Sequence, residues 1–139
     1  MKKQRFYQGI YNLIHPEKFI GKSAPKFKSN YERVMFRWLD LNKNCVGWGY
    51  EILTIPYFDR LQKKIRTYYI DIICKLIDKD GKEKTFALEI KPSKALTKQK
   101  GNYAKAEFVN NTDKWTAAIA YCNSKGITFR IISEKDLFN

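Results

Sequence analysis

Apolar residues in this chain first recur with a helical step. Tyr31, Val34, Met35, Trp38 and Leu39 follow one another at intervals of three and four, which lines one side of a helix. Ser29 can open that helix as its N-cap, and Ser29-Asn30-Tyr31-Glu32 has the spacing of a capping box, while Asn42 and Asn44 close it. From Trp48 the step shortens toward two. Trp48 to Pro56 alternates loosely and stops at the proline, and Arg66 to Leu76 is dense in Ile and Tyr, which favour strands. Asp78-Lys79-Asp80-Gly81 predicts a tight turn, because Asp-Gly tolerates positive φ, and Lys84 to Lys91 returns as the partner strand. Pro92, with no N–H to donate, ends the ladder and suits an edge strand.

A polar stretch from Ser93 to Gly101 leads to a helix over residues 103–110. A second helix is expected from Thr112, as cap, to Lys125, with Trp115, Ala118, Ile119 and Cys122 on its buried side and Gly126 as its C-terminal stop. Ile127 to Ile132 forms a last strand, and Ser133 to Leu137 a short capped turn. Residues 1–28 show no period and read as an irregular basic arm packed through Phe6, Tyr7, Tyr11 and Phe19. The order predicts an α/β fold, a mixed β-sheet flanked by helices, in one domain over residues 29–139. Trp38, Trp48 and Trp115 are expected in its core.

Charge changes the picture. Twenty-seven Lys and Arg against fourteen Asp and Glu leave +13, a field that draws polyanions, of which nucleic acid is the first candidate. No apolar run is long enough for a membrane span, and none follows the basic start, so neither a membrane nor a signal peptide is expected. Cys45, Cys74 and Cys122 are odd in number and far apart, which fits neither a zinc ribbon nor a disulfide framework; each reads as a small buried residue. With His15 as the single histidine, a Ser-His-Asp triad is hard to build.

In Phe86-Ala87-Leu88-Glu89-Ile90-Lys91 alternate side chains share a face, so Glu89 and Lys91 emerge together. Asp71 is a lone carboxylate in the run Tyr69 to Ile73, a costly position unless a cation or metal accompanies it. Two convergent carboxylates suit Mg²⁺, a hard ion that takes oxygen ligands, and the Ile90 carbonyl between Glu89 and Lys91 is a further candidate ligand. A neighbouring lysine can orient water or stabilise charge on a phosphate. Two plainer readings stand beside this one: Glu32 as part of a capping box only, and Glu89 with Lys91 as a surface pair on an edge strand. Lys94, Lys98, Lys100 and Lys105 follow the strand and are candidates for DNA phosphate contacts.

Asp71 followed by Glu89-Ile90-Lys91 resembles the signature of the PD-(D/E)xK nuclease superfamily, with Glu32 similar to the extra glutamate that some branches add. The proline usual before the first aspartate is Ile70 here. Pro16-Glu17-Lys18-Phe19-Ile20-Gly21, Val46-Gly47-Trp48-Gly49, Ile55-Pro56-Tyr57, Asn111, Asp113-Lys114-Trp115 and Ile131 to Leu137 resemble, in the same order, the head completion nucleases of T-even-type tailed phages. A more distant resemblance is to the TnsA-type nucleases. These likenesses imply a restriction-endonuclease-like core and a Mg²⁺-dependent DNA endonuclease, with Mn²⁺ able to substitute. They imply Asp71, Glu89, Lys91 and Glu32 as catalytic residues, and Glu32, Asp71, Glu89 and Ile90 around the metal. The implied task is trimming packaged phage DNA before neck or tail attachment, in the virion or host cytoplasm, with double-stranded DNA and portal or neck proteins as partners. A transposon-end or restriction-type nuclease, or a non-enzymatic DNA-binding virion component, are the alternatives.

Overall fold

In chain order, a two-stranded ribbon of β1 (Gly9–Ile10) and β2 (Lys26–Phe27) precedes α1 (Asn30–Leu41). A long hairpin of β3 (Cys45–Asp59) and β4 (Lys64–Ile77) follows, then β5 (Glu83–Ile90), α2 (Asn102–Lys125), β6 (Thr128–Ile132) and α3 (Glu134–Leu137). The computed structural model describes residues 8–96 and 101–137, so the expected packing of Phe6 and Tyr7 lies outside the described residues. The main sheet has the order β3-β4-β5-β6. Its first three strands are antiparallel, and β6 joins β5 in parallel after the α2 crossover. Leu88 packs with Met35, Phe36 and Leu39 of α1, whereas Ala87 packs with Ala118 and Cys122 of α2. Adjacent strand residues face opposite ways, so the two helices cover opposite faces. This is the predicted mixed sheet flanked by helices. No described helix is long and apolar enough to cross a membrane.

The Asp78–Gly81 turn forms as expected: Asp78 Oδ1 accepts the Asp80 and Lys82 N–H groups at 2.9 Å each, and Gly81 takes φ +80°. Three expectations need correction. α2 is one helix; Thr112 does not cap a second one but bonds within the turn, its Oγ1 donating to the Phe108 carbonyl at 2.9 Å. The polar run Asn110-Asn111-Thr112 looks like a break in sequence, yet Asn111 is buried against the sheet. β3 does not stop at Pro56, which pairs with Thr67 inside the ladder; β3 is an edge strand, so one side needs no donor. β5 is not an edge but lies between β4 and β6, and Glu89 is 6% exposed, which removes the surface-pair reading.

α1 is also turned relative to the expected stripe. Its buried residues are Glu32, Met35, Phe36, Leu39 and Asp40, while Trp38 is 48% exposed. Two carboxylates lie on the inner side, and a hydrophobic pattern assigns charged residues to solvent, which rotates the inferred face. For the same reason Ile119 of α2, expected inside, is 49% exposed. All three cysteines are free and buried.

Asp40 explains why the segment before α1 is ordered. Its carboxylate accepts the Tyr11 hydroxyl at 2.8 Å, the Ile14 N–H at 2.8 Å and the His15 N–H at 2.9 Å. Burial alone would raise its proton affinity, but those donors outweigh it and hold the carboxyl below its usual range. Lys18 adds bonds from Nζ to the Asp40 and Asn42 carbonyls at 2.8 Å each. Tyr11 and Phe27 thereby join the α1-side core.

Asp40→Ala strands three donors at once, and its expected cost is about 3 kcal/mol in urea unfolding at pH 7. A loss below about 1 kcal/mol would mean that water replaces the carboxylate freely.

Candidate active site

Around Asp71, β4 passes from one core to the other. On its far side Ile72 and Cys74 pack with α1, Trp48 and Leu88; before it Tyr68 and Ile70 pack with Ile55, Tyr57 and Ala118. β3 makes the same passage through a slip in register. Tyr50 pairs with Ile72 and Leu53 with Ile70, so Glu51 and Ile52 together stand opposite Asp71. Such a bulge bends the strand and re-aims neighbouring side chains. Glu51 sits at φ +55°, a conformation that a residue with a Cβ seldom takes.

On the other flank of Asp71 the β4–β5 ladder ends at Ile72–Leu88. Lys91 N–H donates to the Ile132 carbonyl of β6 at 2.9 Å, so the peptide groups of Ile90 are turned toward β4. There the Ile90 N–H meets no strand backbone; it donates to Asp71 Oδ2 at 2.8 Å. A carboxylate thus takes the place of a strand partner. The Ile90 carbonyl faces the same side, because in a strand one residue presents its N–H and C=O to the same neighbour.

Glu89, buried beside it, has both oxygens engaged. Oε1 accepts the Tyr68 hydroxyl at 2.8 Å, and Oε2 lies 3.8 Å from Lys91 Nζ. Glu32 comes from the first turn of α1. Ser29 Oγ accepts the Glu32 N–H at 3.1 Å, which is half of a capping box. The other half is not made to Ser29: Glu32 Oε1 accepts the Lys28 N–H at 2.6 Å, and Oε2 accepts the Tyr50 hydroxyl at 3.1 Å. The glutamate therefore holds the helix start and also faces Asp71, whose charge it opposes.

The electrostatics follow from three carboxylates in little water. Burial first, then the charges of Glu89 and Glu32, push the Asp71 carboxyl up to about 8, although the Ile90 N–H and Lys91 pull the other way. Glu89 is raised by burial, against the opposing pull of the Tyr68 hydroxyl, Lys91 and Lys114. Tyr50 and Tyr68 are held far above the usual phenol range, by burial first and by these carboxylates next, so both hydroxyls remain donors. Among the described residues, no three carboxylates, thiols or imidazoles already close on one ion position. Asp71 and Glu89 are within hydrogen-bond reach of each other, a contact that the proton held by the raised Asp71 carboxyl allows, and a cation could take that proton's place. The donor set suits Mg²⁺: all oxygen, buried, and short of positive charge.

Glu32, Asp71, Glu89, Ile90 and Lys91 are thus brought to one place. Lys94 is exposed just past the end of β5, in a single 3-10 turn (Ser93–Leu96) tied to α3 through Ser93 and Glu134. Lys105 is exposed in the first turn of α2, and Lys98 and Lys100 lie outside the described residues. Sequence reasoning missed Tyr50, Tyr68 and Lys114. Neither tyrosine has a periodic signal. Lys114 had one: it falls three residues after buried Asn111 and four before buried Ala118, a spacing that places it on the sheet-facing stripe.

Comparison with known proteins bears on this site. A family model described as TnsA-like endonuclease N terminal matches residues 42–134, which include Asp71, Glu89, Lys91 and Lys114 but not Glu32. The chain is 39% identical over 146 aligned residues to the head completion nuclease of Enterobacteria phage T4, covering 90% of this chain and 95% of that protein.

The repulsion at Asp71 has a measurable sign. An unfolded aspartate titrates near its ordinary value of 3.8, the folded one near 8, so between these the native state holds the extra proton and stability falls as pH rises. Asp71→Asn keeps an acceptor for the Ile90 N–H without the charge. With divalent ions chelated, it should melt roughly 3–8 °C above wild type at pH 8, about 1–2 kcal/mol, with the gap closing toward pH 5. Equal melting at both pH values would show that Asp71 carries no such strain.

Proposed function

This chain belongs to the TnsA-like endonuclease family, with the restriction-endonuclease-like fold which that implies, and from that premise we propose that it hydrolyses DNA phosphodiester bonds as a Mg²⁺-dependent endonuclease. The observation that carries the reading is the meeting of Glu32, Asp71, Glu89 and Lys91 where β4 and β5 cease to pair, with a carboxyl group that lacks the positive charge it needs. Buried carboxylates whose proton affinity is raised by one another's charge are the arrangement that sites of chemistry build, and this supports the reading.

Asp71, Glu89, Glu32 and the Ile90 carbonyl would hold the ion. Bound Mg²⁺ would polarise the phosphate and acidify water. The remaining work belongs to the protein. Tyr68 fixes the orientation of Glu89, and Tyr50 and the Lys28 N–H fix that of Glu32, as outer-shell donors do for metal ligands. Lys91, held 3.8 Å from Glu89 just past the strand end, would stabilise the charge that a phosphate oxygen gains. The surplus of thirteen positive charges draws duplex DNA to the surface and makes its binding salt-sensitive, with Lys94, Lys98, Lys100 and Lys105 as proposed phosphate contacts. Near-complete coverage of a head completion nuclease supports the same task here. This chain would trim the end of packaged DNA before neck or tail attachment, with portal or neck proteins beside it.

Asp71→Ala and Glu89→Ala should each slow Mg²⁺-dependent plasmid nicking at least about 100-fold, equivalent to about 2.7 kcal/mol of barrier, while duplex binding in Ca²⁺ changes little. Wild-type nicking in either variant would remove the site, and a wild-type chain that binds DNA but never cuts it would favour a non-enzymatic virion component.

Glu32 separates ligand from cap. Glutamine can serve the same place in a cap, so if capping were its whole role Glu32→Gln would cut normally. As a metal ligand it should lose roughly tenfold or more, about 1.4 kcal/mol, at limiting Mg²⁺, with part of the activity restored at high Mg²⁺ and no large change in melting. Full activity across the magnesium range would return Glu32 to the cap.

A further inference from the structure

Lys114 occupies a position that a helix facing a sheet gives to apolar residues. Its neighbours on the stripe, Asn111, Ala118 and Cys122, are buried at 5%, 0% and 0% exposure. An ammonium brought to such a place is costly unless an anion meets it. Among the described residues, none of the ion pairs includes Lys114. The acid next to it in sequence, Asp113, is taken by Arg60, with Nε–Oδ1 at 2.9 Å and the Arg60 N–H on Oδ2 at 3.1 Å. Lys114 Nζ lies instead over the Tyr68 ring, 5.6 Å from its centroid, and that tyrosine's hydroxyl is bonded to Glu89. Lys114 is therefore held at the carboxylate site from the α2 side, within electrostatic reach of Lys91, Glu89, Asp71 and Arg66, the last of which is met by Asp59 at 3.5 Å.

Lys91 and Lys114 lie close enough to repel each other, and their proximity makes sense if an anion comes between them. Three ionised carboxylates and one divalent ion leave one negative charge; Lys91 alone would neutralise it, and Lys114 leaves the site one charge positive. One phosphodiester completes the balance. Building on the nuclease reading above, we propose that Lys114 is a second phosphate-binding lysine, gripping a non-bridging oxygen of the scissile phosphodiester from α2 opposite Lys91 on β5.

Lys114→Met keeps a long stem for packing on Tyr68 and removes the charge, while Lys114→Arg keeps the charge. Lys125 lies over the Tyr121 ring at 5.8 Å near the end of the same helix, so Lys125→Met is the matched control. The full-length variants are compared for duplex binding in Ca²⁺ over a salt series, for single-turnover cleavage in Mg²⁺, and for melting. Lys114→Met should melt like wild type, bind duplex DNA about tenfold more weakly with a log–log salt slope shallower by about 0.9, and cut at least about tenfold more slowly. Lys114→Arg should recover most of both losses, and Lys125→Met should show neither. An unchanged salt slope and cleavage in Lys114→Met, or losses no larger than those of Lys125→Met, overturn the assignment. If the wild type binds but does not cut, the nuclease reading falls, and the salt slope still decides whether Lys114 meets a phosphate. A wild type that does not bind duplex DNA overturns both.

Discussion

Like charges do not share a nearly dry space without cost, and this fold gathers three carboxylates into one. Asp71, Glu89 and Glu32 come from three elements, and each is held by a donor of its own: the Ile90 N–H, the Tyr68 hydroxyl, and the Tyr50 hydroxyl with the Lys28 N–H. These donors fix direction without supplying a full countercharge, so burial first and the neighbouring carboxylates next leave Asp71 reluctant to ionise. Much of the local architecture serves that arrangement. The bulge places Glu51 and Ile52 together opposite Asp71, the β4–β5 ladder stops there, and β4 changes cores at the same place.

The succession of strands along the chain and the Asp-Gly turn were legible in the sequence because β-branched and aromatic runs, alternation and turn chemistry are local signals, whereas the place of β5 inside the sheet was not. Asp71, Glu89 and Lys91 were legible for a related reason: a charge in an apolar run stands out, and strand alternation pairs residues two apart. The failures have one physical source. Hydrophobic patterning treats a charged or amide residue as outward-facing, so Glu32 and Asp40 misdirected the face of α1, Asn111 suggested a break in α2, and Lys114 was given no part in the site. The tyrosine donors and the register slip depend on contacts between segments far apart in sequence, and no local spacing reports them.

The site draws on more of the chain than the family model covers. Residues 42–134 contain the sheet, Asp71, Glu89 and both site lysines, whereas Glu32 and its donor Lys28 precede that span. The preceding segment is fastened by Asp40, one of whose donors, Tyr11, packs on Phe36 of α1 with ring centroids 6.0 Å apart. Phe36 in turn packs on Tyr50 at 4.9 Å, the tyrosine that holds Glu32. A continuous packed path therefore joins the latch at Asp40 to the third carboxylate.

The bulge in β3 has a second effect. A fifteen-residue strand at the edge of a sheet is a ready template for another chain; near Trp48 the Phe19–Ile20 segment covers it, with the Ile20 N–H on the Trp48 carbonyl at 2.8 Å, but Ile52 and Phe58 are exposed along the rest. Here the double residue at Glu51 and Ile52 breaks the regular spacing of its free peptide groups, and Pro56 has no N–H to offer a stranger. The irregularity that stands opposite Asp71 also makes the edge a poor template for an intermolecular sheet, so a straightened β3 would pair more readily with another chain.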